Sequence, residues 1–317
     1  MRAVLAKIVA GLPEFSPFSN RDFSPEERQY LAFYNLDVTE HPNGHHDFGH
    51  ITFQERKIAV HLFSVSNPVG TVVLVHGYYD HAGILANIIH TMVGARLNVV
   101  VYDQPGHGLS EGARADIDSF SDYSELCADI VKRCRDDWGL TGPLHLVGHS
   151  LGGATIADLL LNGKLDNIGK IILIAPLCRS KLWGLSGVGN WLASPFRKDV
   201  TRVFRSNSRD KAFRAFVKND PLQPRVVPFK FVKAHRAWEA AMRESAPVDH
   251  PVTILQGKKD TVVDFRYNIK FYKKRFPKHT VMWYKKGGHQ LMNESQPLRD
   301  QVLKDIKETL RATTSAL

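Results

Sequence analysis

Six short, nearly continuous apolar runs recur along the 317-residue chain, separated mainly by segments long enough to form helices. The runs are Val72–Val75, Asn98–Tyr102, Leu144–Val147, Ile171–Ile174, Val252–Leu255 and Val281–Tyr284. Such runs indicate the strands of a mostly parallel sheet that is covered by helices on both faces. Helical periodicity is predicted for residues 81–93, 117–137, 151–161, 265–275 and 297–312. The chain is therefore predicted to have an α/β fold.

Residues 179–245 interrupt this alternation, because they contain no clear strand. The segment has nine Phe and Trp residues, and its 15 Lys and Arg outnumber its 5 Asp and Glu. The whole formal charge of +10 is thus concentrated in it. We interpret residues 179–245 as a helical cap that is inserted between strands of a core formed by residues 49–178 and 246–317.

Residues 1–48 form an N-terminal lead-in. Within it, Ser24–Glu27 has the sequence of a capping box with Pro at the first helical position, which predicts a short helix toward Tyr34. Four histidines flank a Pro-Asn-Gly turn at His41, His45, His46 and His50. Their spacing fits no standard metal-ligand pattern, so a solvated loop is favoured over a metal site.

The cysteines and the apolar stretches bear on the compartment. The chain has three cysteines, Cys127, Cys134 and Cys178. So small and odd a number does not form a disulfide framework, which favours a reducing compartment. Cys127 and Cys134 lie seven residues apart in a helical stretch and are predicted to be small core residues. No stretch approaches the ~18–20 apolar residues of a membrane span, and Lys7 interrupts the N-terminal apolar run. A cytoplasmic protein is expected, with peripheral contact at the inner face of the membrane as an open alternative.

The pentapeptide at residues 148–152 matches G-x-S-x-G, with Ser150 at its centre. It follows an apolar run and begins a helical segment, as a nucleophile elbow requires. The alternative is a Gly-rich turn that holds a phosphate, but the strand-to-helix context favours the elbow. G-x-G-x-x-G is not present, so a dinucleotide site has little support. Ser150 is therefore the predicted nucleophile.

A serine hydroxyl needs a base, which in turn needs an orienting acid. His289 follows two glycines in a loop between the last apolar run and the terminal helix, and it is the predicted base. His235, His250 and His279 are better explained as structural or solvated residues.

Asp260 is the predicted acid, because it follows the Val252–Leu255 run in a loop. Its rival Asp264 resembles the N-cap of the next helix, a structural role. An acid after the Ile171–Ile174 run is excluded, since residues 175–180 contain no carboxylate.

Two backbone N–H groups are expected to stabilise the tetrahedral oxyanion. One is that of Leu151, directly after the nucleophile. The other is that of Tyr78, in the loop that follows the first apolar run, where Gly77 permits an unusual backbone conformation. His76 in the same loop is interpreted as a bracing residue.

With these residues identified, the chain resembles the monoacylglycerol lipase and lysophospholipase L2 branch of the α/β-hydrolase superfamily, the serine aminopeptidase-like hydrolases. The matching segments are residues 76–81, 103–112, 148–153, 257–264 and 288–289, in the order of the family. The resemblance implies the α/β-hydrolase fold, hydrolysis of an acyl ester through an acyl-enzyme, and no cofactor. It also implies that the turn at Asp103–Ser110 braces the floor of the active site. Tyr78-Tyr79 departs from many relatives, which leaves the shape of the acyl pocket open.

The leading hypothesis is a lysophospholipase or monoacylglycerol lipase. Aromatic residues of the cap can line an acyl tunnel, and its cations can hold the protein at an anionic membrane. A small-ester esterase or a thioesterase would use the same triad, whereas an aminopeptidase is disfavoured by the few acidic residues of the cap. A non-catalytic membrane or nucleic-acid adaptor ranks lower, because the triad is complete and no nucleic-acid module is recognisable. We expect a lipid or ester substrate, no nucleic-acid partner and no metal.

Overall fold

A sheet of eight strands lies at the centre of the computed structural model, which describes residues 1–165, 167–181, 183–184 and 198–311. The strands of the protein are β1 (His45–Phe53), β2 (Arg56–Ser64), β3 (Thr71–Val75), β4 (Asn98–Tyr102), β5 (Leu144–His149), β6 (Ile171–Ile174), β7 (Asp199–Thr201), β8 (Val226–Pro228), β9 (Val252–Gly257) and β10 (His279–Tyr284). The order in the central sheet is β1-β2-β4-β3-β5-β6-β9-β10. The β1–β2 and β2–β4 pairs are antiparallel and the other neighbouring pairs are parallel. The predicted mostly parallel sheet is confirmed.

Helices cover both faces of this sheet. They are α1 (Arg2–Gly11), α2 (Pro25–Tyr34), α3 (Ala86–Val93), α4 (Ser121–Asp136), α5 (Leu151–Leu161), α6 (Lys211–Asn219), α7 (Phe229–Glu244), α8 (Phe265–Arg275) and α9 (Leu298–Arg311). Alternate residues of β3 belong to two different cores: Val73 and Val75 pack with α4, α5 and α8, whereas Val72 and Leu74 pack with α1, α2, α3 and α9. Burial of both faces explains why the sequence shows continuous apolar runs rather than alternation.

Local signals in two helices are confirmed. The Ser24 side chain accepts a hydrogen bond from Glu27 N, and the Glu27 side chain accepts one from Ser24 N, which completes the capping box of α2. In α4, Cys127 and Cys134 lie in the core, and all three cysteines of the chain are free thiols.

The antiparallel edge of the sheet corrects the interpretation of the lead-in. Residues 45–53 form strand β1 rather than a solvated loop, and His46 is buried there. Gln54 and Glu55 connect β1 to β2 with positive φ angles of 46° and 62°. The polar sequence of β1 concealed the strand, because His46 packs on the ring of Phe63 and on His61 of β2, whose Nδ1 lies 3.0 Å from His46 Nε2.

The cap region also differs from the expectation that it contains no strand. Strands β7 and β8 pair antiparallel within it, with Asp199 opposite Pro228 and Thr201 opposite Val226. Three residues in each strand are too few to produce a recognisable periodicity. Helices α6 and α7 account for much of the rest of the described cap.

Within the described residues, none of the helices combines the length and the apolar character that crossing a membrane requires.

Candidate active site

Ser150 lies at the sharp turn between β5 and α5, with φ 52° and ψ −109°. Its N–H donates to Ile174 O at 2.9 Å and its carbonyl oxygen accepts from Leu177 N at 3.0 Å. The turn brings α5 so close to β3 that a Cβ on Gly152 would lie 2.0 Å from Val75 O. Only a glycine fits this contact. The predicted nucleophile-elbow geometry is present.

His289 and Asp260 form a buried pair. His289 Nδ1 donates to Asp260 Oδ2 at 2.8 Å, so Nε2 is the ring nitrogen left for proton transfer. The other carboxylate oxygen, Oδ1, accepts from the N–H groups of Val262 and Val263 at 2.8 and 3.1 Å. Burial alone would raise the pKa of Asp260, but His289 and the two backbone donors outweigh it and lower the pKa. The carboxylate therefore stays ionised and orients the imidazole.

Ser150 and His289 line one cavity of about 770 Å³. Asp260 does not line it but lies behind His289. Many of the walls are apolar side chains of the cap and of the loops beside it, among them Leu177, Val200, Phe204, Val217, Val227 and Phe229. The predicted nucleophile, the predicted base and aromatic side chains of the cap thus meet around one cavity.

The two predicted oxyanion residues belong to different segments, the start of α5 and the loop after β3. Leu151 is the first residue of α5, and its side chain is buried. Tyr78 lines the cavity, its ring stacks on Phe231 of α7 at a centroid distance of 3.8 Å, and its hydroxyl donates to Ala115 O at 2.6 Å. Both side chains are thus held in place, while the role of their N–H groups stays a prediction.

Three polar residues beside the elbow were not identified from the sequence. The Asp80 carboxylate oxygen Oδ2 lies 3.2 Å from His149 Nδ1 and accepts from Gln290 Nε2 at 2.9 Å. Burial would raise the pKa of Asp80, but the hydrogen bonds from His149 and Gln290 lower it to about 2. Asp80 is therefore an anion in the cavity wall. Asp80 lies in the segment at residues 76–81 that matches the family. Its role could not be predicted, because its partners lie 69 and 210 residues away in the chain.

His76 and Asp103 hold neighbouring loops through hydrogen bonds, and their bracing of the active-site floor stays a prediction. His76 Nε2 accepts from Gln104 N and its Nδ1 donates to Gly77 O, both at 2.8 Å. Burial lowers the pKa of His76 to about 3, so the ring is neutral. The Asp103 carboxylate accepts from backbone N–H groups at 2.7 and 2.8 Å, those of Ala82 and Leu109.

The rival residues have structural roles. Asp264 caps α8 by accepting from Tyr267 N. His235 is buried, its Nε2 donates to Cys178 O at 2.9 Å, and burial lowers its pKa to about 4. His279 Nδ1 donates to Phe276 O at 2.7 Å.

Asn207 and Asp220 of the cap both bond to active-site loops. The carbonyl oxygen of Asn207 accepts from His289 N at 3.0 Å and from Gln290 N at 2.8 Å. Asp220, which follows α6, bonds through one carboxylate oxygen to His81 Nε2 at 2.8 Å and through the other to the Tyr34 hydroxyl at 2.6 Å. His81 belongs to the loop that contains Tyr78, so the cap contacts both the base loop and the predicted oxyanion loop.

One cluster has the donor atoms that a metal ion would use. His41 Nε2 lies 2.9 Å from His90 Nδ1, and Glu40 Oε1 lies 3.7 Å from the same atom. None of the three lines the cavity of Ser150.

A mostly parallel sheet, a strained serine between strand and helix, and a buried His–Asp pair at the ends of later strands define the class of α/β-hydrolases. The family model described as serine aminopeptidase, S33, matches residues 66–296, and the chain belongs to this family. It is therefore a hydrolase, as predicted.

Relatives and solved structures agree with this assignment. A phospholipase of Bacillus subtilis is 27% identical over 253 residues, which cover 76% of this chain and 95% of the relative. Human monoglyceride lipase is 32% identical over 111 residues, 35% of this chain and 36% of the relative. A soluble variant of monoglyceride lipase from Saccharomyces cerevisiae, solved with a substrate analog, shares the fold with a TM-score of 0.71 and 22% identity, covering 83% of this chain and 94% of that one. The expected enzyme class, a carboxylic-ester hydrolase, agrees with the names of these relatives.

Proposed function

We propose that the protein is a serine hydrolase that cleaves the carboxylic ester of a lipid with one acyl chain, a lysophospholipid or a monoacylglycerol. The supporting observation is the largely apolar cavity of about 770 Å³ that contains Ser150 and His289. Its size lies within the ~300–1,000 Å³ of small-molecule sites. Its walls can bury an acyl chain, at a gain of about 0.8 kcal/mol for each methylene group. The names of the relatives, a phospholipase and monoglyceride lipases, support the same class of substrate.

In the first half of the proposed reaction, Ser150 Oγ attacks the carbonyl carbon of the ester while His289 Nε2 accepts the hydroxyl proton. Asp260 stabilises the imidazolium that forms. The negative charge on the carbonyl oxygen is proposed to meet the N–H groups of Leu151 and Tyr78. Collapse of this intermediate breaks the ester C–O bond, and His289 gives its proton to the departing alcohol, which leaves an acyl-Ser150 ester.

In the second half, water attacks the acyl-enzyme and His289 accepts a proton from it. The tetrahedral intermediate again forms between the two N–H donors. Its collapse returns the proton to Ser150 Oγ and releases the fatty acid.

Residues 179–245 are proposed to act as a cap that also contacts an anionic membrane. Exposed apolar and cationic side chains follow one another closely in this part of the chain. Val203 is 78% exposed and Val200 is 39% exposed, and Lys198 and Arg205 are exposed near them in the chain. Basic residues near an anionic surface contribute about 1 kcal/mol each. Such a surface would bring the cavity to its lipid substrate.

A substrate panel tests the proposed function. Purified enzyme is assayed against esters that vary in acyl length and headgroup, including lysophospholipids, monoacylglycerols, short p-nitrophenyl esters and thioesters. We expect turnover of the long-chain lipids that disappears in Ser150→Ala. Turnover of only short esters or thioesters would replace the proposal with the esterase or thioesterase alternative.

A fluorophosphonate probe gives an independent readout, since it reacts with the activated serine whatever the substrate. Labelling that is lost in Ser150→Ala supports the nucleophile. A wild-type protein that is not labelled would contradict the enzymatic mechanism and favour a membrane adaptor.

A further inference from the structure

The cavity of Ser150 carries an excess of positive charge that the proposed reaction does not use. Four cationic side chains of the cap line it: Arg202, Arg205, Arg214 and Lys218. Asp80 is the carboxylate of the described lining, and it is bound to Gln290 and His149. Within the described residues, none of the four cations has a carboxylate within 4.0 Å.

Arg202 is held in place without a counter-ion. Its guanidinium lies 3.8 Å from the ring centroid of Tyr79 and 4.4 Å from that of Phe204. Its Nη1 donates to the Gln223 side chain at 2.7 Å and to Pro224 O at 3.1 Å, both neutral acceptors. The stacking fixes the plane of the guanidinium beside Tyr79, the residue after Tyr78. Arg202 therefore lies next to the proposed oxyanion loop.

Arg214 adds a second fixed cation. Its Nη1 donates to Ser206 Oγ at 2.7 Å, and its Nε is buried without a hydrogen-bond partner among the described residues. Lys218 lies one turn further along the same helix, α6, so both side chains lie on one face. A buried donor without a partner costs free energy, and the partly buried Arg214 guanidinium attracts an anion more strongly than a fully hydrated cation such as the exposed Lys218 does.

We infer that Arg202, Arg214 and Lys218 form a subsite for the anionic headgroup of the substrate, a phosphate group attached to the alcohol part of the ester. The inference rests on the proposed function and narrows it to acyl esters with a phosphate in the leaving group. Guanidinium groups bind phosphate oxygens through paired, charge-assisted hydrogen bonds. A neutral monoacylglycerol would leave these cations without an anionic partner, so the subsite discriminates against it.

The test uses pairs of substrates with the same medium-length acyl chain, kept below their critical micelle concentration. One member is a lysophosphatidylglycerol and the other is a monoacylglycerol, and a lysophosphatidylcholine provides a phosphate with a balancing cation. We expect the wild type to have the higher kcat/KM for the anionic member. The double variant Arg214→Gln/Lys218→Gln should reduce the ratio of the two kcat/KM values about 10-fold or more.

A matched control separates a subsite from the overall charge of the cap. Lys211→Gln/Lys233→Gln removes two positive charges from exposed positions that do not line the cavity. This control should keep the wild-type ratio. For the third cation, Arg202→Lys should retain more of the ratio than Arg202→Gln, and circular dichroism with thermal unfolding verifies that each variant is folded.

Each result decides between defined alternatives. If the ratio falls equally in the control, the charges act through the surface potential, and the subsite is refuted. The same holds if the wild type shows no preference for the anionic member while Ser150-dependent hydrolysis of monoacylglycerol persists; the proposed function then stands. If neither lipid is hydrolysed, the proposed function itself fails.

Discussion

At the scale of single residues, Ser150 has a backbone conformation that suits glycine, and this conformation presents its hydroxyl to the cavity. A non-glycine residue held in such a region costs about 1–3 kcal/mol. The hydrogen bonds of its N–H and C=O to Ile174 and Leu177 hold the turn. The strained backbone conformation is therefore that of Ser150 itself and not that of its neighbours in the sequence.

We predict that Ser150→Gly is more stable than Ser150→Ala. Both variants lack the hydroxyl and should be inactive, but only alanine keeps the Cβ that the φ of 52° disfavours. Glycine loses more backbone entropy on folding than alanine, which offsets part of the relieved strain. The free energy of unfolding should still be higher in Ser150→Gly by about 1 kcal/mol. Urea unfolding of the two variants measures it. Equal stabilities, or a more stable alanine variant, would contradict the argument.

Asp260→Asn should lower kcat by about 10³- to 10⁴-fold, because an amide can donate to Nδ1 and so favour the wrong imidazole tautomer. The matched control is Asp264→Asn, which changes the rival carboxylate. Asn is also a good N-cap residue, so α8 should stay capped and kcat should stay within about twofold of the wild-type value. Steady-state kinetics on an activated ester measures both. A comparable loss in the two variants would shift the role of the acid away from Asp260.

The sequence predicts those residues whose position relative to a strand defines their role. Ser150, Asp260 and His289 each follow an apolar run, and parallel strands bring such positions to one edge of the sheet. The contacts of Asp80, His149 and Gln290 could not be predicted in the same way. They depend on which side chains of distant segments meet, and no periodicity encodes that.

At the scale of elements, the contact of Asp220 with His81 and Tyr34 joins the cap to the core. The side chains of His81 and Asp220 are fully buried. Burial would lower the pKa of His81, but the Asp220 carboxylate outweighs it and the pKa is raised. Burial would raise the pKa of Asp220, but His81 outweighs it and the pKa is lowered. The opposite directions of the two shifts are those of an imidazolium–carboxylate pair.

The pH dependence of this contact follows from the directions of the two pKa shifts. The contribution of His81 is complete below its unfolded pKa of about 6.5 and is lost as the pH rises through its raised folded pKa. That of Asp220 is complete above about 3.8 and is lost as the pH falls through its lowered folded pKa. The pair thus stabilises the fold fully between about pH 4 and pH 6.5.

Asp220→Asn should destabilise the protein by about 3–5 kcal/mol at pH 6, since it leaves a buried imidazole without its counter-ion. The loss should become smaller as the pH is raised toward 9, because the wild-type His81 loses its proton as the pH passes its raised folded pKa. Chemical unfolding of both proteins at the two pH values measures the difference. The same loss at both would show that the contact acts as a neutral hydrogen bond.

The elements that the sequence did not predict share a physical cause. The antiparallel strands β1 and β2 contain polar and aromatic residues that stack on each other, and β7 and β8 are three residues long. Central strands that are buried on both faces need continuous apolar runs, and these runs allowed the strands to be predicted from the sequence. Strands β1 and β2 are largely buried too, but their polar residues interrupt the apolar pattern, and β7 and β8 are too short to form a run.

At the scale of the whole molecule, buried histidines should limit stability in acid. Burial lowers the pKa of six of them: His46, His61, His76, His107, His145 and His235. The folded pKa values of His61 and His76 are about 3, and those of His107, His145 and His235 are about 4. The unfolded chain binds protons at these sites below pH 6.5, whereas the folded protein does not, so acid favours unfolding.

The free energy of unfolding should therefore fall steadily as the pH drops from 6.5 to 4.5. Each buried histidine contributes up to about 1.4 kcal/mol per pH unit. Urea unfolding at intervals of half a pH unit measures the slope of the free energy of unfolding against pH. His145→Gln should reduce this slope by the amount that corresponds to about one proton. A flat profile across this range would show that the folded protein accommodates the charged rings.

The Asn207 carbonyl, which accepts hydrogen bonds from His289 N and Gln290 N, limits how the sequence of the cap can change in evolution. The contact is made by the main chain, so the identity of residue 207 can drift without disturbing the base. An insertion or deletion in the neighbouring residues would instead displace the carbonyl and release the loop of the base. Among homologous hydrolases that use this contact, the segment should vary in sequence while keeping its length. Chimeras that exchange caps should place their junctions outside it.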